Sequence, residues 1–79
     1  MFTQRQEAQV KQLVIRNTGR FVTQDELQKM YDLDFAQYQD LVKTKQFTGS
    51  YDEFFGDIVG CDYGEVAFLD CVVADVLGL

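Results

Sequence analysis

The chain has 79 residues, of which 47% are hydrophobic and 14% aromatic, and its formal net charge is −6. This composition argues against a disordered acidic tail, and the length predicts a single small helical domain, residues 1–79, that buries about 60% of its unfolded surface. The longest apolar runs are four residues, as from Val66 to Leu69, so the sequence predicts no membrane span and no secretory signal.

Strand-type alternation is scarce, and capping residues separate segments of helical periodicity. The sequence therefore predicts an all-α fold, a compact bundle of about five short helices. The first helix is predicted from Thr3 to Asn17, with Val10 and Val14 on its apolar face. It should end before Gly19, because glycine tolerates the left-handed conformation that terminates a helix.

Two helices are predicted in the middle of the chain. Thr23 and Glu26 have the spacing of a capping box, which begins a short second helix. Residues 31–34 are predicted to connect this helix to a third one, about residues 35–46. Asp34 is expected to cap the third helix, because aspartate is a preferred residue at that position.

A fourth helix is predicted after Ser50, which forms a second capping-box pattern with Glu53. Its apolar positions face the core, and it should end at Gly60. Gly56 lies in its interior, where glycine is unfavourable by about 1 kcal/mol relative to alanine. This position predicts a close approach by the fifth helix.

A third capping-box pattern, Asp62 to Glu65, predicts the start of the fifth helix. Residues 66–79 are apolar on nearly all sides, which is typical of a helix at the centre of a bundle or between two copies of a chain. Residues 71–76 are rich in valine, so a strand is the alternative there. A lone strand would lack a hydrogen-bonding partner, which favours the central helix.

The charges are distributed unevenly along the chain. All seven lysines and arginines lie in residues 1–45 together with six acids, whereas residues 46–79 contain seven acids and no base. The two parts therefore sum to +1 and −7. Interspersed charges would give solubility without this self-repulsion, so the acidic part is predicted to contact a positively charged surface.

Several kinds of chemistry lack their usual residues. The chain has no histidine, the commonest proton shuttle and transition-metal ligand. Cys61 and Cys71 have only acids as charged sequence neighbours, whereas a reactive thiolate requires a base or a cation nearby. The prediction is a non-enzymatic protein without catalytic residues, metal or cofactor. Both cysteines are expected to be reduced, with Cys71 in the core, as in a cytoplasmic protein.

The leading hypothesis is a small binding protein whose acidic C-terminal helices dock on a basic protein surface. Nucleic-acid channels are strongly positive, and carboxylates on a rigid helix can occupy one as a nucleic-acid mimic. In composition the chain is similar to phage-encoded inhibitors of CRISPR and restriction enzymes, which implies an inhibitory role. Two tyrosines are included as aromatic anchors. The predicted partner-binding residues are Tyr51, Asp52, Glu53, Asp57, Asp62, Tyr63 and Glu65.

A DNA-binding regulator is the first alternative, because residues 23–45 have the approximate length of a helix-turn-helix. The turn lacks glycine, and nearby aspartates would repel phosphate, so direct nucleic-acid binding is disfavoured. The DNA-contacting residues in this alternative are Gln37, Gln39, Lys43 and Lys45.

A self-associating structural subunit is the second alternative. In this case residues 66–79 form a homodimer interface, the acids only solvate the surface, and the protein has no partner except a second copy. A membrane partner is not expected in any of the three cases.

Overall fold

The computed structural model describes all 79 residues and contains four helices joined by short loops, with no strand. Helix α1 spans Gln4–Thr18, α2 spans Gln24–Lys43 and α3 spans Tyr51–Val59. The C-terminal helix, α4, consists of an α-helical segment, Asp62–Phe68, a π-helical segment, Leu69–Val73, and a final turn, Ala74–Leu77. The all-α prediction is therefore confirmed, and the valine-rich part of the C-terminus is helical.

Helix α1 begins and ends within one residue of its predicted bounds. The Thr3 N–H donates to Gln6 Oε1 at 3.0 Å, and the Gln6 N–H donates to Thr3 Oγ1 at 3.2 Å. This reciprocal pair satisfies two backbone groups that a helix leaves unpaired at its start. At the other end Gly19 has φ 73°, in the left-handed region.

The second and third predicted helices are one continuous helix, α2, so the prediction of a connection at residues 31–34 is wrong. The predicted capping box is present, since the Thr23 N–H donates to the Glu26 carboxylate at 2.9 Å. Asp34, however, does not cap a helix. Its side chain is only 1% exposed and accepts a hydrogen bond from the Tyr51 hydroxyl at 2.7 Å. A tertiary contact therefore keeps this aspartate inside the helix.

Helix α2 ends three residues earlier than predicted, at Lys43, in a Schellman arrangement. The Gln46 N–H donates to the Leu41 carbonyl at 2.8 Å, and the Lys45 N–H donates to the Val42 carbonyl at 3.1 Å. Lys45 takes the left-handed conformation, with φ 62°, that glycine usually adopts at this position.

The starts of α3 and α4 differ from the capping boxes predicted for them. The Glu53 N–H donates to Ser50 Oγ at 3.2 Å, and the reverse bond from the Ser50 N–H is absent. Helix α4 begins at Asp62 itself, and Cys61 occupies the cap position without a side-chain hydrogen bond. The prediction of a box at Asp62 is therefore wrong, because the aspartate lies one position inside the helix.

Close packing occurs at a different glycine from the one predicted. A Cβ at Gly56 would meet nothing within 4 Å, so no helix approaches it closely. At Gly64 a Cβ would overlap the Ile58 carbonyl and lie 2.6 Å from the Ile58 Cα. The backbones of α3 and α4 are therefore in contact at Gly64, and glycine is required there.

The core lies between all four helices, and α1 contributes Val10, Leu13 and Val14 at no more than 1% exposure. Helix α4 contributes one side only, because Val66 is 56% exposed. The central position predicted for this helix is not confirmed. Cys71 is exposed and unpaired, so the prediction that it lies in the core is wrong. None of the helices has the length and apolar character needed to span a membrane.

Most of the aromatic residues form a continuous network that includes Phe2, Phe55 and Phe68 of this core. Tyr51 lies at its centre, with ring centroids 5.3 Å from Tyr31 and 5.4 Å from Phe35. Such edge-to-face and tilted pairs add about 0.5–1.5 kcal/mol each beyond their buried area. Two aromatic side chains remain outside the network, Phe21 at 84% exposure and Tyr63 at 89% exposure.

Candidate protein-binding surface

The three acidic side chains of α3 are all exposed at its surface. Phe54, Phe55 and Val59 are buried, whereas Asp52, Glu53 and Asp57 are exposed. Glu53 and Asp57 are four residues apart and therefore project from the same side of the helix. We call Asp52, Glu53 and Asp57 the α3 acidic face. Its exposure agrees with the outward orientation predicted from the sequence.

The carboxylates of residues 46–79 are almost all without a basic partner. The one ion pair of the structure joins Arg16 Nη2 to Glu65 Oε2 at 3.0 Å. Six of the seven acids in this part of the chain are therefore not paired with a lysine or arginine. The remaining bases are unpaired as well. The negative charge of the C-terminal part is consequently available to an external cation.

Some of these acids lie where a negative charge stabilises the helix, and others lie where it does not. Asp52 and Glu53 lie in the first turn of α3, where the helix dipole favours a negative charge. Asp57 lies near the C-terminal end of α3, and Asp75 lies in the final turn of α4, with no base in either last turn. A negative charge is unfavourable at that end of a helix. Asp57 and Asp75 therefore require a reason other than the stability of their own helices.

Two predicted interface acids also hold the helices together. Asp52 Oδ1 accepts a hydrogen bond from Gln6 Nε2 at 2.8 Å, which joins α3 to α1. Glu65 joins α4 to α1 through Arg16. Both side chains are therefore fixed in position by contacts within the chain. The exposed Glu53, Asp57 and Asp62 make no such tertiary hydrogen bond.

The two predicted aromatic anchors, Tyr51 and Tyr63, differ in their exposure to solvent. Tyr63 is 89% exposed and follows Asp62 at the start of α4, so its ring is free to contact a partner. The Tyr51 ring lies in the aromatic network, and its hydroxyl donates to Asp34 Oδ2 at 2.7 Å. Tyr51 is therefore occupied within the chain, and only Tyr63 is retained as an anchor.

Sequence reasoning missed the environment of Asp34. Burial raises the pKa of the Asp34 carboxyl, and the hydrogen bond from Tyr51 lowers it in part. Burial, followed by the hydrogen bond to Asp34, raises the pKa of the Tyr51 hydroxyl. Asp34 Oδ1 is buried without any hydrogen-bond partner. A signal was present in the sequence, because Asp34 continues the apolar stripe of Leu27 and Met30 at helical spacing.

The turn between two helices that the DNA-binding alternative requires is absent. Gln37, Gln39 and Lys43 all lie on the uninterrupted α2, so there is no turn between two helices. Gln37 and Gln39 are two residues apart and point to nearly opposite sides of α2. They are therefore not arranged to contact base edges in one groove. Lys45 follows the helix in the left-handed conformation described above.

No group of three cysteine, aspartate or glutamate side chains is arranged to hold a metal ion. The seven acids of residues 46–79 are instead spread along the surfaces of α3 and α4. Comparison with protein-family models, with curated proteins and with solved structures gives no match. What the protein does has to be inferred from its own charges and surfaces.

Proposed function

We propose that this protein is a small non-enzymatic binding protein whose acidic C-terminal half docks on a basic surface of another protein. The observation that carries the proposal is the set of six acids in residues 46–79 that have no basic partner within the chain. Asp57 is the most informative member, since its charge opposes the dipole of its own helix. A cationic partner surface would remove this repulsion and would attract the protein electrostatically.

Separate parts of the surface have separate roles in this proposal. Glu53, Asp57 and Asp62 supply negative charge, and Tyr63 supplies an aromatic anchor of the type that often dominates interface energies. Asp52 is held by Gln6, which reduces the entropy lost when the side chain is ordered in a complex. Glu65 is similarly held through its ion pair.

The proposed partner surface is the nucleic-acid channel of a cytoplasmic enzyme, which the protein would inhibit. Glu53 and Asp57 project from one side of α3, about 6 Å apart along its axis, so they present two negative charges close together, as a nucleic-acid backbone does. The exposed, unpaired Cys61 and Cys71 fit a reducing compartment. These features support a nucleic-acid mimic more than a simple solubilising surface.

The proposal is tested by affinity capture from a nuclease-treated bacterial lysate. The bait variants are the wild type and one with all three residues of the α3 acidic face changed to lysine. A matched control carries the same charge change on exposed acids of α2, Asp25→Lys, Asp32→Lys and Asp40→Lys. Circular dichroism first establishes that all three baits are folded.

Wild type and the α2 variant are expected to retain the same basic protein, which salt or added duplex DNA releases. The α3 variant is expected to lose it. Equal retention by all three baits would show that the α3 acidic face does not bind the partner.

Self-association is a second candidate function, favoured by the exposure of Val66 at 56% and Leu79 at 62% on an apolar C-terminal segment. Val66→Glu is the informative variant. Substitutions at the buried Val72, 2% exposed, would disrupt the monomer core instead. Sedimentation should show a dimer that dissociates in Val66→Glu. A wild type that stays monomeric up to millimolar concentration would exclude this candidate.

A further inference from the structure

A groove of about 250 Å³ lies where α2, α3 and α4 meet. Its walls are mainly apolar and include Leu41 of α2, Ile58 of α3 and Ala67 of α4. Small-molecule sites usually occupy about 300–1,000 Å³. A space of this size is therefore better matched to a single side chain of a protein partner than to a cofactor.

Two independent features mark this groove as more than a packing gap. Asp34 forms part of its wall, and Asp34 Oδ1 is buried with no hydrogen-bond partner. Buried polar atoms without a partner are rare in folded proteins, and each one lacks a donor that a ligand can supply. In addition, Cys71 lines the groove from the π-helical segment Leu69–Val73. Single π-helical turns inside α-helices are rare and are frequent at functional sites.

We propose that the groove accepts the side chain of a lysine from the basic partner, with its alkyl stem against the apolar walls and its ammonium group at Asp34. This inference depends on the proposed function, because it names the residue by which that partner is anchored. Residues 46–79 contain no base, so no cation from this part of the chain competes for the site. The exposed Asp57 and Asp70 are sequence neighbours of the lining residues Ile58 and Cys71 and add to the local negative charge.

Lysine fits the site better than arginine does. An arginine guanidinium binds a carboxylate most strongly through two parallel hydrogen bonds to both oxygens. Asp34 Oδ2 already accepts a hydrogen bond from the Tyr51 hydroxyl at 2.7 Å, whereas Oδ1 has no partner, so the two oxygens are not equally placed to receive a guanidinium fork. A lysine ammonium is a compact charge on a four-carbon stem and can pair with Oδ1 through one of its three N–H groups.

The test uses n-butylammonium as a probe of the lysine side chain and n-butanol as its neutral equivalent. Methyl resonances of Leu41, Ile58 and Ala67 are followed by two-dimensional NMR during each titration. Both probes should shift the resonances of these methyl groups. The ammonium should bind about tenfold more tightly than the alcohol, because its charge-assisted hydrogen bond to Asp34 contributes more than the desolvation of the ammonium costs. Shifts that are absent from the groove, or equal affinity for both probes, would overturn the proposal.

Three variants make the result specific to the groove. Asp34→Asn keeps an acceptor for Tyr51 and should abolish the preference for the ammonium, whereas Asp25→Asn, at an exposed acid that does not line the groove, should retain it. Ala67→Leu fills the groove from an exposed position and should abolish binding of both probes. A preference that survives Asp34→Asn would contradict the assigned role of Asp34. The titration requires no protein partner, so it can fail while capture through the α3 acidic face succeeds, and the reverse also holds.

Discussion

Replacing Tyr51 with phenylalanine tests the buried pair of Tyr51 and Asp34. The change removes one hydroxyl and leaves the ring within the aromatic network. Asp34 would then have two buried carboxyl oxygens without a partner, since Oδ1 has none already. A hydrogen bond to a charged group contributes about 1.5–3 kcal/mol, so Tyr51→Phe should lower the free energy of unfolding by this amount at pH 8. That is a large part of the roughly 4–12 kcal/mol expected for a chain of this length.

The destabilisation caused by Tyr51→Phe should be larger at high pH than at low pH. Burial raises the pKa of folded Asp34 above its ordinary value of 3.8. The folded state therefore holds this proton more tightly than the unfolded chain, and stability from this group is lost as pH rises from 3.8 through the folded pKa. The hydrogen bond from Tyr51 lowers the pKa of folded Asp34 and so reduces the stability that is lost as pH rises. At a pH below 3.8, where Asp34 is neutral, Tyr51→Phe should consequently lower the free energy of unfolding by only about 0.5–1.5 kcal/mol.

Urea titrations monitored by circular dichroism between pH 3.5 and pH 8 measure this effect. Tyr38→Phe is the matched control, because the Tyr38 hydroxyl donates to the exposed Gly49 carbonyl at 2.7 Å. Its effect should be below about 1 kcal/mol and independent of pH. Asp34→Asn should remove the pH dependence of the Tyr51→Phe loss. Equal and pH-independent losses for the two tyrosine variants would refute the role assigned to the buried pair.

Four further substitutions test the stability of the fold. Gly56→Ala should stabilise the protein by about 0.5–1 kcal/mol, because a Cβ there meets nothing within 4 Å. Gly64→Ala should destabilise it by overlap with the Ile58 carbonyl; thermal melts that shift in the same direction for both variants would contradict the structure. Asp57→Asn should stabilise by about 0.3–1 kcal/mol in low-salt urea titrations and less in high salt, and a loss of stability would show that this acid supports the fold. Thr23→Ala should lower stability by about 1 kcal/mol, because it removes the cap bond to the Glu26 N–H at 3.2 Å; an unchanged urea midpoint would disprove this cap.

The helical fold could be predicted from the sequence because its signals are local. The capping box of Thr23 and Glu26 joins residues three apart, and Gly19 ends α1 by its own conformation. The single helix α2 could not be predicted in the same way. Asp34, the residue predicted to cap a separate third helix, is held by Tyr51, which is 17 positions away in the sequence.

The candidate surface was predictable only where exposure follows from helical periodicity. Glu53 and Asp57 fall on one side of α3, away from the buried Phe55 and Val59, as the spacing indicates. The contact of Glu65 with a base was not predictable, because it joins residues 49 positions apart. The groove likewise could not be foreseen, since its walls come from three helices and depend on how these helices pack.

In the proposed function, the acidic half of the protein occupies a surface that otherwise binds nucleic acid. The most direct measurement is the association rate and affinity of the purified protein for the captured partner, with and without duplex DNA, over a range of ionic strength. The association rate should fall steeply as salt screens the charges. DNA and the protein should exclude each other, and charge reversal of the α3 acidic face should abolish binding. Salt-insensitive binding to a partner that holds DNA at the same time would contradict the proposed nucleic-acid mimicry.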